Sequence, residues 1–398
     1  MSARIVQTSL CLICVVASNS LFAGVQPAAI DAGPFKVIPQ ITTKLSHNDN
    51  IFNQPDQEVS SQIISLNPSV QFLAQKDANS YSLTYAGDYA LYFDSGDDNY
   101  SDHNFNADAF LDLGTRNDVS LSAGLKKGHD NRGTGSSEGS AALTRGAPDE
   151  FDEVSTVVGW DFGAKDARFG ASLSADYADI EYQNNRLETQ FRDRSDLGYK
   201  LRVSGKVQPK TSLFVEYGGS DVEYDTLPIN GITLDSDQQQ VSVGVEWQVT
   251  GKTSGSVKFG QTDKNFDAAS RGDGTNSSWE AEVNWAPRTY ANIYFTTTRG
   301  IRETNGTGSF IDARDYSVSW VHDWSSYLHT TVSASKGMDE YEGDPREDDR
   351  DDYSMRVGYD FRRWLSVDIG YSYQDRDSND DTFDYDKSSI FLSMDLAL

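Results

Sequence analysis

The sequence predicts an all-β protein, a transmembrane antiparallel up-and-down β-barrel of about 18 strands, with 16 as the alternative count. Three observations support this fold class. Apolar and polar residues alternate along most of the chain, as in strands with one apolar and one polar face. The connections between these segments are alternately short and long. After the first 23 residues, no run approaches the roughly 20 apolar residues that a membrane-spanning helix needs.

The composition excludes two other classes of protein. The 398 residues include 61 Asp and Glu against 34 Lys and Arg, a formal net charge of −27. A chain this acidic repels polyphosphate, so nucleic acid is not expected as a partner. The 19 Phe, 20 Tyr and 7 Trp supply more buriable surface than a disordered acidic chain would carry. What remains is an exported β-protein, either in water or in a membrane.

The N-terminus predicts export. Arg4 precedes an apolar stretch from Leu10 to Ala17, and Ser20, Leu21, Phe22 and Ala23 follow, which is the layout of a secretory signal peptide. We expect residues 1–23 to be removed, 24–34 to form a short periplasmic segment, and 35–398 to form a single outer-membrane barrel domain. Both cysteines, Cys11 and Cys14, leave with the signal peptide, so no disulfide is expected in the mature chain.

The strands follow from the period of two. In residues 241–249, Val and Trp at the odd positions alternate with Ser, Gly, Glu and Gln at the even ones. The same pattern places strands at 35–51, 60–74, 81–94, 103–114, 119–129, 151–162, 168–182, 195–207, 212–224, 237–249, 254–266, 276–286, 290–303, 314–324, 328–339, 352–362, 365–376 and 386–398. An even number returns both chain ends to one side of the membrane.

The connections divide strictly into two classes. Short ones lie at 75–80, 115–118, 163–167, 208–211, 250–253, 286–289, 325–327 and 362–364. Long polar ones lie at 53–59, 95–102, 130–150, 183–194, 225–236, 267–275, 304–313, 340–351 and 377–385. Bacterial outer-membrane barrels have this arrangement, with short periplasmic turns and long extracellular loops, here rich in acidic residues.

Aromatic residues mark one end of the predicted barrel. Six of the seven tryptophans lie at or near a short turn, namely Trp160, Trp247, Trp285, Trp320, Trp324 and Trp364. We expect them to form a periplasmic girdle, because an indole ring prefers hydrocarbon while its N–H reaches water. The alternative is that they fill the core of a soluble protein.

The opposite faces of the strands carry ionisable residues and are expected to line a polar interior. By parity, the candidate lumen-lining residues are Asp88, Lys126, Asp161, Asp176, Lys200, Arg202, Glu216, Glu246, Lys258, Glu280, Glu282, Arg356, Asp360 and Asp368. An interior this polar must hold water or a hydrophilic solute. The last strand, with Ile390, Leu392 and Met394 on one face, resembles the terminal signal read by the outer-membrane assembly machinery, although it ends in Leu398 where Phe is usual.

Short motifs in the first two strands indicate a family. They are Val-Ile-Pro-Gln-Ile at 37–41, Asn-Asp-Asn-Ile-Phe at 48–52 and Ile-Ser-Leu-Asn-Pro-Ser-Val at 64–70. This pattern resembles the opening hairpin of the outer-membrane β-barrel porins of bacterial exopolysaccharide and capsule biosynthesis operons (beta-barrel porin 2-like). The resemblance implies a channel that takes part in export or surface assembly of a polysaccharide, alongside a periplasmic polysaccharide-export protein. It implies no catalytic residues.

No catalytic or metal site is predicted. The five histidines fit no nucleophile elbow, zinc spacing or Ser/His/Asp order. The nearest candidate, Asp97, Asp98, Asp102 and His103, is reminiscent of outer-membrane proteases, but those barrels have about ten strands. The acidic run at 375–386 begins like a calcium loop, yet it lacks the Gly at position six and the closing Glu. We therefore expect neither an enzyme nor a cofactor.

Three functional hypotheses follow. The first is polysaccharide export or assembly, with a neutral or cationic glycan favoured by the acidic charge. The second is a general or small-solute diffusion porin, which is favoured if the 21-residue loop 130–150 folds inward as a constriction. The third is a structural or adhesive surface barrel. In each case the surroundings are outer-membrane lipid and lipopolysaccharide.

Overall fold

The protein folds into a closed antiparallel β-barrel. The computed structural model describes residues 29–164, 167–228 and 231–397. Consecutive strands pair with one another from β2 to β19, and β19 pairs with β2 in the register Ser389↔Asn48 to Ala397↔Gln40, which closes the ring. The predicted signal peptide, residues 1–23, and the terminal Leu398 lie outside the described residues.

Among the described residues, eighteen strands form the ring and one short strand precedes it. They are β1 (Ile30–Ala32), β2 (Phe35–Asn48), β3 (Ser61–Lys76), β4 (Asn79–Tyr92), β5 (Tyr100–Asp112), β6 (Asn117–Asp130), β7 (Asp149–Phe162), β8 (Phe169–Tyr182), β9 (Arg194–Gln208), β10 (Thr211–Tyr224), β11 (Ser236–Thr250), β12 (Thr253–Phe266), β13 (Gly274–Arg288), β14 (Ala291–Glu303), β15 (Phe310–Asp323), β16 (Leu328–Glu342), β17 (Glu347–Arg362), β18 (Leu365–Ser378) and β19 (Tyr385–Ala397). Two short helices, α1 (Ala141–Thr144) and α2 (Arg186–Thr189), lie in loops. None of the helices in the described ranges is long and apolar enough to span a bilayer.

The predicted fold class and strand count are confirmed, with differences at the ends of some strands. β15 begins at Phe310 and β17 at Glu347, and β16 continues to Glu342, so the loops expected at 304–313 and 340–351 shrink to 304–309 and 343–346. The ladder continues there beyond the apolar band, where Phe310, Ile311 and Tyr341 are buried in small apolar clusters and an exposed apolar residue no longer recurs at every second position. The added strand, β1, lies in the segment 24–34, which was expected to be a short periplasmic segment, and it pairs with β2.

The two faces of the sheet differ in chemistry. The convex face exposes a band of Leu, Val, Ile, Phe and Tyr side chains, of which Leu83, Val243 and Ile390 are examples. The concave face is polar, and the buried apolar side chains form only small clusters near the loop end, such as Ile51 with Phe52 and Ala142. An apolar outer band around a polar interior is the arrangement of a barrel that sits in lipid.

The two ends of the barrel also differ. One end carries turns at 77–78, 113–116, 163–168, 209–210, 251–252, 289–290, 324–327 and 363–364. The other carries loops at 49–60, 93–99, 131–148, 183–193, 225–235, 267–273, 304–309, 343–346 and 379–384. Short turns face the periplasm in such barrels, so we call the loop end the extracellular mouth.

Candidate functional site: a loop across the barrel mouth

The longest connection, residues 131–148 between β6 and β7, is here named the crossing loop. Its base is fixed by Arg132, which donates from Nε to Asp98 Oδ1 at 2.7 Å and pairs with Oδ2 of the same carboxylate. The guanidinium also lies 4.1 Å from the centre of the Phe52 ring. Both partners of the ion pair are buried. The loop therefore leaves the rim of the barrel in a defined direction.

The first loop of the barrel, residues 49–60 between β2 and β3, packs against the crossing loop. The side chain of Gln54 donates to Gly139 O at 2.8 Å, and that of Asn53 donates to Gly133 O at 3.2 Å. Ala142 packs on Ile51 and Phe52 in a buried apolar cluster. Because these contacts run along the length of the loop, it packs as part of the folded structure.

The far end of the crossing loop is held by Glu138. Its Oε2 accepts from Arg346 Nη1 at 2.9 Å and from Asn305 Nδ2 at 2.9 Å, and its Oε1 accepts from Arg376 Nη1 at 2.9 Å. The two arginine side chains are only 3% and 6% exposed. A carboxylate shared by two buried guanidinium groups is strongly anchored, since losing it leaves both charges without this partner.

The topology shows that this contact spans the mouth. The crossing loop joins β6 and β7, whereas Arg346 lies between β16 and β17. In a ring of eighteen strands, β7 and β16 are nine positions apart and thus diametrically opposite. Glu138 therefore reaches the opposite rim, and the loop crosses the opening.

Arg346, which donates to Glu138, is itself held in place. Arg346 forms a two-pronged pair with Asp348, from Nε to Oδ1 at 2.9 Å and from Nη2 to Oδ2 at 2.5 Å, and its guanidinium stacks 3.7 Å from the Phe383 ring centre. Burial lowers the pKa of Arg346, but the hydrogen bond to Asp348 and the charge of Glu138 outweigh this and raise the pKa above its ordinary value. Arg346 thus remains charged at any physiological pH.

An open cavity of about 590 Å³ lies beside the crossing loop, and we call it the entrance cavity. Glu138 and Ser136 of the crossing loop form one wall. Loops from the β8 to β15 side supply most of the rest, including Arg192, Leu234, Arg271 and the segment 304–309, and Gly343 and Phe383 complete the lining. The crossing loop thus obstructs part of the mouth and leaves space on one side.

The predicted interior residues all lie on the face opposite the exposed apolar side chains. Cross-strand registers place several of them opposite one another or opposite small polar residues, as in Arg202↔Glu216 and Lys258↔Glu280. The set is Asp88, Lys126, Asp161, Asp176, Lys200, Arg202, Glu216, Glu246, Lys258, Glu280, Glu282, Arg356, Asp360 and Asp368. Their role as pore lining stays a prediction.

Several of these side chains meet across an intervening strand. Lys258 Nζ on β12 lies 3.0 Å from Glu216 Oε1 on β10 and 3.1 Å from Glu280 Oε2 on β13. Arg202 on β9 bonds Glu246 on β11 at 2.6 Å and lies 3.6 Å from the Phe214 ring centre. Side chains from non-adjacent strands converge in this way on a concave surface. The structure therefore groups them into mixed-charge clusters on the inner wall.

The tryptophans of the predicted girdle lie near the turns. Trp160, Trp285, Trp324 and Trp364 are exposed. Trp247 and Trp320 lie three residues before the ends of β11 and β15. Trp320 and Trp324 form an aromatic group with His322, whose ring centre is 4.2 Å from that of Trp324. The position fits an interface belt, and the contact with lipid headgroups stays a prediction.

Three of the four residues considered for catalysis, Asp98, Asp102 and His103, contact different partners. Asp98 is paired with Arg132, Asp102 contacts His129 Nδ1 at 3.0 Å, and His103 Nδ1 lies 3.0 Å from the Tyr85 hydroxyl. Within the described ranges, no three His, Cys, Asp or Glu side chains are arranged to hold a metal ion.

Sequence reasoning singled out the crossing loop but not the residues that fix it. Glu138 stands in a Gly- and Ser-rich segment, and it lies 208 residues from Arg346 and 238 from Arg376. The length of the loop was the only feature of the sequence that drew attention to it. Nothing local in the sequence connects these three side chains.

Comparisons with known proteins agree with this architecture. A family model described as "Putative beta-barrel porin 2" matches residues 23–398. No curated protein matches the chain. Crystal structures with a similar fold include Pseudomonas aeruginosa OccK5 (OpdH), with a TM-score of 0.50, 13% identity, and coverage of 92% of this chain and 100% of that one.

Two further Pseudomonas aeruginosa structures show the same likeness. OccK1 (OpdK) and OpdK with vanillate each have a TM-score of 0.50 and 13% identity, and each match covers 91% of this chain and 99% of the other. At such low identity the likeness concerns the fold. The association with exopolysaccharide operons stays a prediction, whereas the resemblance to β-barrel porins is confirmed. With a family model that matches nearly its whole length and the barrel described above, the chain belongs to the "Putative beta-barrel porin 2" family and is a porin-fold protein of the Gram-negative outer membrane.

Proposed function

We propose that this protein is a diffusion porin for small hydrophilic solutes and that the crossing loop narrows its extracellular mouth. The contact of Glu138 with Arg346 and Arg376 carries this proposal, because it fixes a loop from one rim of the barrel to the other. A narrowed but unfilled mouth admits small solutes and excludes large ones. The entrance cavity beside the loop is the route that remains.

The inner wall supports passage of polar solutes. The predicted lining set contains nine carboxylates and five basic residues, and mixed-charge clusters such as Glu216, Lys258 and Glu280 keep much of this charge balanced. Hydroxyl and carboxylate groups exchange hydrogen bonds readily with water and solutes. The excess of acids favours neutral and cationic solutes over anions.

Polysaccharide export is the competing hypothesis, and the resemblance of the opening strands is what favours it. A polymer chain needs a continuous opening along the axis, so the crossing loop would have to leave its position during export. Its anchors at both rims make this costly. The hypothesis therefore predicts a displaced loop, whereas diffusion of small solutes does not.

Planar-bilayer recordings with purified protein test the proposal. Replacing residues 134–146 with a short Gly-Ser linker should raise the single-channel conductance, and Glu138→Gln should increase current fluctuations because the far anchor is weakened. The matched control is Glu223→Gln, at an exposed carboxylate of β10 that lies outside the crossing loop and the entrance cavity. An unchanged conductance after loop replacement would show that the loop does not limit flow.

A cellular measurement separates the two hypotheses. Under the proposal, deleting the gene leaves surface polysaccharide unchanged and slows uptake of small hydrophilic solutes. Accumulation of polysaccharide in the periplasm of the deletion strain would support export and contradict the proposal.

A further inference from the structure

Among the described residues, one arginine at the entrance cavity has no acidic partner. Arg271, in the loop 267–273, donates from Nε to Thr233 O at 2.7 Å, from Nη2 to Ile232 O at 3.2 Å and from Nη1 to Ser309 Oγ at 2.9 Å. All three acceptors are neutral. Within the described part of the chain, its guanidinium forms no ion pair with a carboxylate.

The other arginines around the mouth differ in this respect. Arg132 is paired with Asp98, Arg145 with Glu188, Arg192 with Asp130 and Arg346 with Glu138 and Asp348. Burial lowers the pKa of Arg271, and the opposing influence comes from the Tyr224 hydroxyl alone. In a chain with a net charge of −27, a partly buried guanidinium without an acid is a site at which an anion is stabilised.

The guanidinium retains donors for a ligand. Each terminal nitrogen carries two hydrogens, and each donates one of them within the protein, so one N–H on each remains. A planar guanidinium matches the two oxygens of a carboxylate in spacing and direction. Arg271 lines the entrance cavity, so a solute in the cavity lies beside this guanidinium.

The remaining walls of the cavity suit an organic body. Phe191, Leu234 and Phe383 supply apolar surface, and Thr307 and Ser136 supply hydroxyl groups. The two carboxylates in the lining, Glu138 and Glu188, are each paired with arginine. The volume of about 590 Å³ falls within the range of small-molecule pockets. A ligand with a charged head and a short apolar tail fits this combination better than a bare inorganic anion does.

We propose that the entrance cavity binds small organic carboxylates, with Arg271 as the group that recognises the carboxylate. The proposal rests on the proposed diffusion role, since the ligand enters by the same mouth. The wall below is acidic, so a simple carboxylate held at Arg271 does not pass on easily and occupies the opening. Such a ligand acts as a reversible blocker of the current.

The test records current through the full-length mature protein in planar bilayers. Sodium butanoate should reduce the current in a saturable way, whereas sodium chloride at equal concentration and the neutral isostere butanamide should not. In Arg271→Gln the concentration for half-block should rise about tenfold or more, because a charge-assisted hydrogen-bonded pair is lost. Arg271→Lys keeps the charge without the planar guanidinium. Its concentration for half-block should lie between those of the unmodified protein and of Arg271→Gln. Lys210→Gln, at an exposed turn on the opposite end, is the control.

The outcomes separate the two proposals. Absence of any channel current contradicts the diffusion role itself. A normal current that butanoate does not reduce, or that butanamide reduces equally, overturns the carboxylate site alone. Block by inorganic phosphate to the same extent as by butanoate would also overturn the carboxylate site, because it would indicate a general anion site. The comparison of butanoate with butanamide on the unmodified protein does not depend on whether Arg271→Gln folds, and heat-modifiable gel mobility reports the folding of each variant.

Discussion

Gly133 occupies the point at which the crossing loop packs on the first loop of the barrel. Its φ is +85°, in the region that favours glycine, and a Cβ built there would lie 2.1 Å from Phe52 O. Gly133→Ala should therefore displace the crossing loop, with about 1–3 kcal/mol of backbone strain added to the clash. We expect faster proteolytic cleavage within residues 131–148 and an intact barrel by gel mobility.

A second glycine gives the control for this prediction. Gly231 also has a positive φ, +72°, but a Cβ there would meet nothing within 4 Å. Gly231→Ala should show the strain alone and leave cleavage of the crossing loop unchanged. Equal cleavage in the two variants would mean that the contact with Phe52 does not hold the loop.

At the scale of a strand, β14 offers adjacent residues on opposite faces. Phe295 is 40% exposed on the convex face, whereas Thr296 pairs with Glu282 and Ser317 on the concave face. Phe295→Arg should cost about 2–4 kcal/mol of folding free energy in lipid, the penalty for a charge near the bilayer centre. Thr296→Arg places the same charge in the polar interior and should cost far less. Unfolding by denaturant in vesicles measures both, and equal penalties would contradict the assignment of faces.

The same alternation explains how far the sequence determines the fold. Where one face meets lipid, a strand must be apolar at every second residue, so the membrane part of each strand was predicted within a few residues. Above the lipid this requirement ends. The first five residues of β17, Glu347 to Asp351, are all charged and were assigned to a loop, yet they continue the ladder. β1, with only three residues, is too short to show a period.

The candidate site was less predictable than the barrel for a related reason. Interior residues share the period of their strands, so their face follows once the strands are known. Glu138, Arg346 and Arg376 meet through three-dimensional closure of the ring, at separations of more than two hundred residues. Arg271 differs from the paired arginines at the mouth in lacking an acidic partner among the described residues, which no local pattern reveals.

For the whole molecule, the distribution of charge decides which ions pass. The interior set has nine acids against five bases, and the neighbouring Asp395 and Lys44 on the same face add one of each sign. A polar channel with excess fixed negative charge raises the local concentration of cations. We therefore expect the open channel to prefer K⁺ over Cl⁻.

Lys258 offers a direct test of that preference. It lies between Glu216 and Glu280, so Lys258→Gln removes the cation that offsets both carboxylates. One unit of charge at about 4 Å is worth about 1 kcal/mol in water, so the ratio of cation to anion permeability should rise by up to about fivefold. Reversal potentials in a KCl gradient measure this ratio. The effect should shrink at 1 M salt, where the screening length falls to about 3 Å. Lys76→Gln, at a periplasmic turn outside the clusters, should leave the ratio unchanged, and anion preference in the unmodified channel would contradict the acidic-wall account altogether.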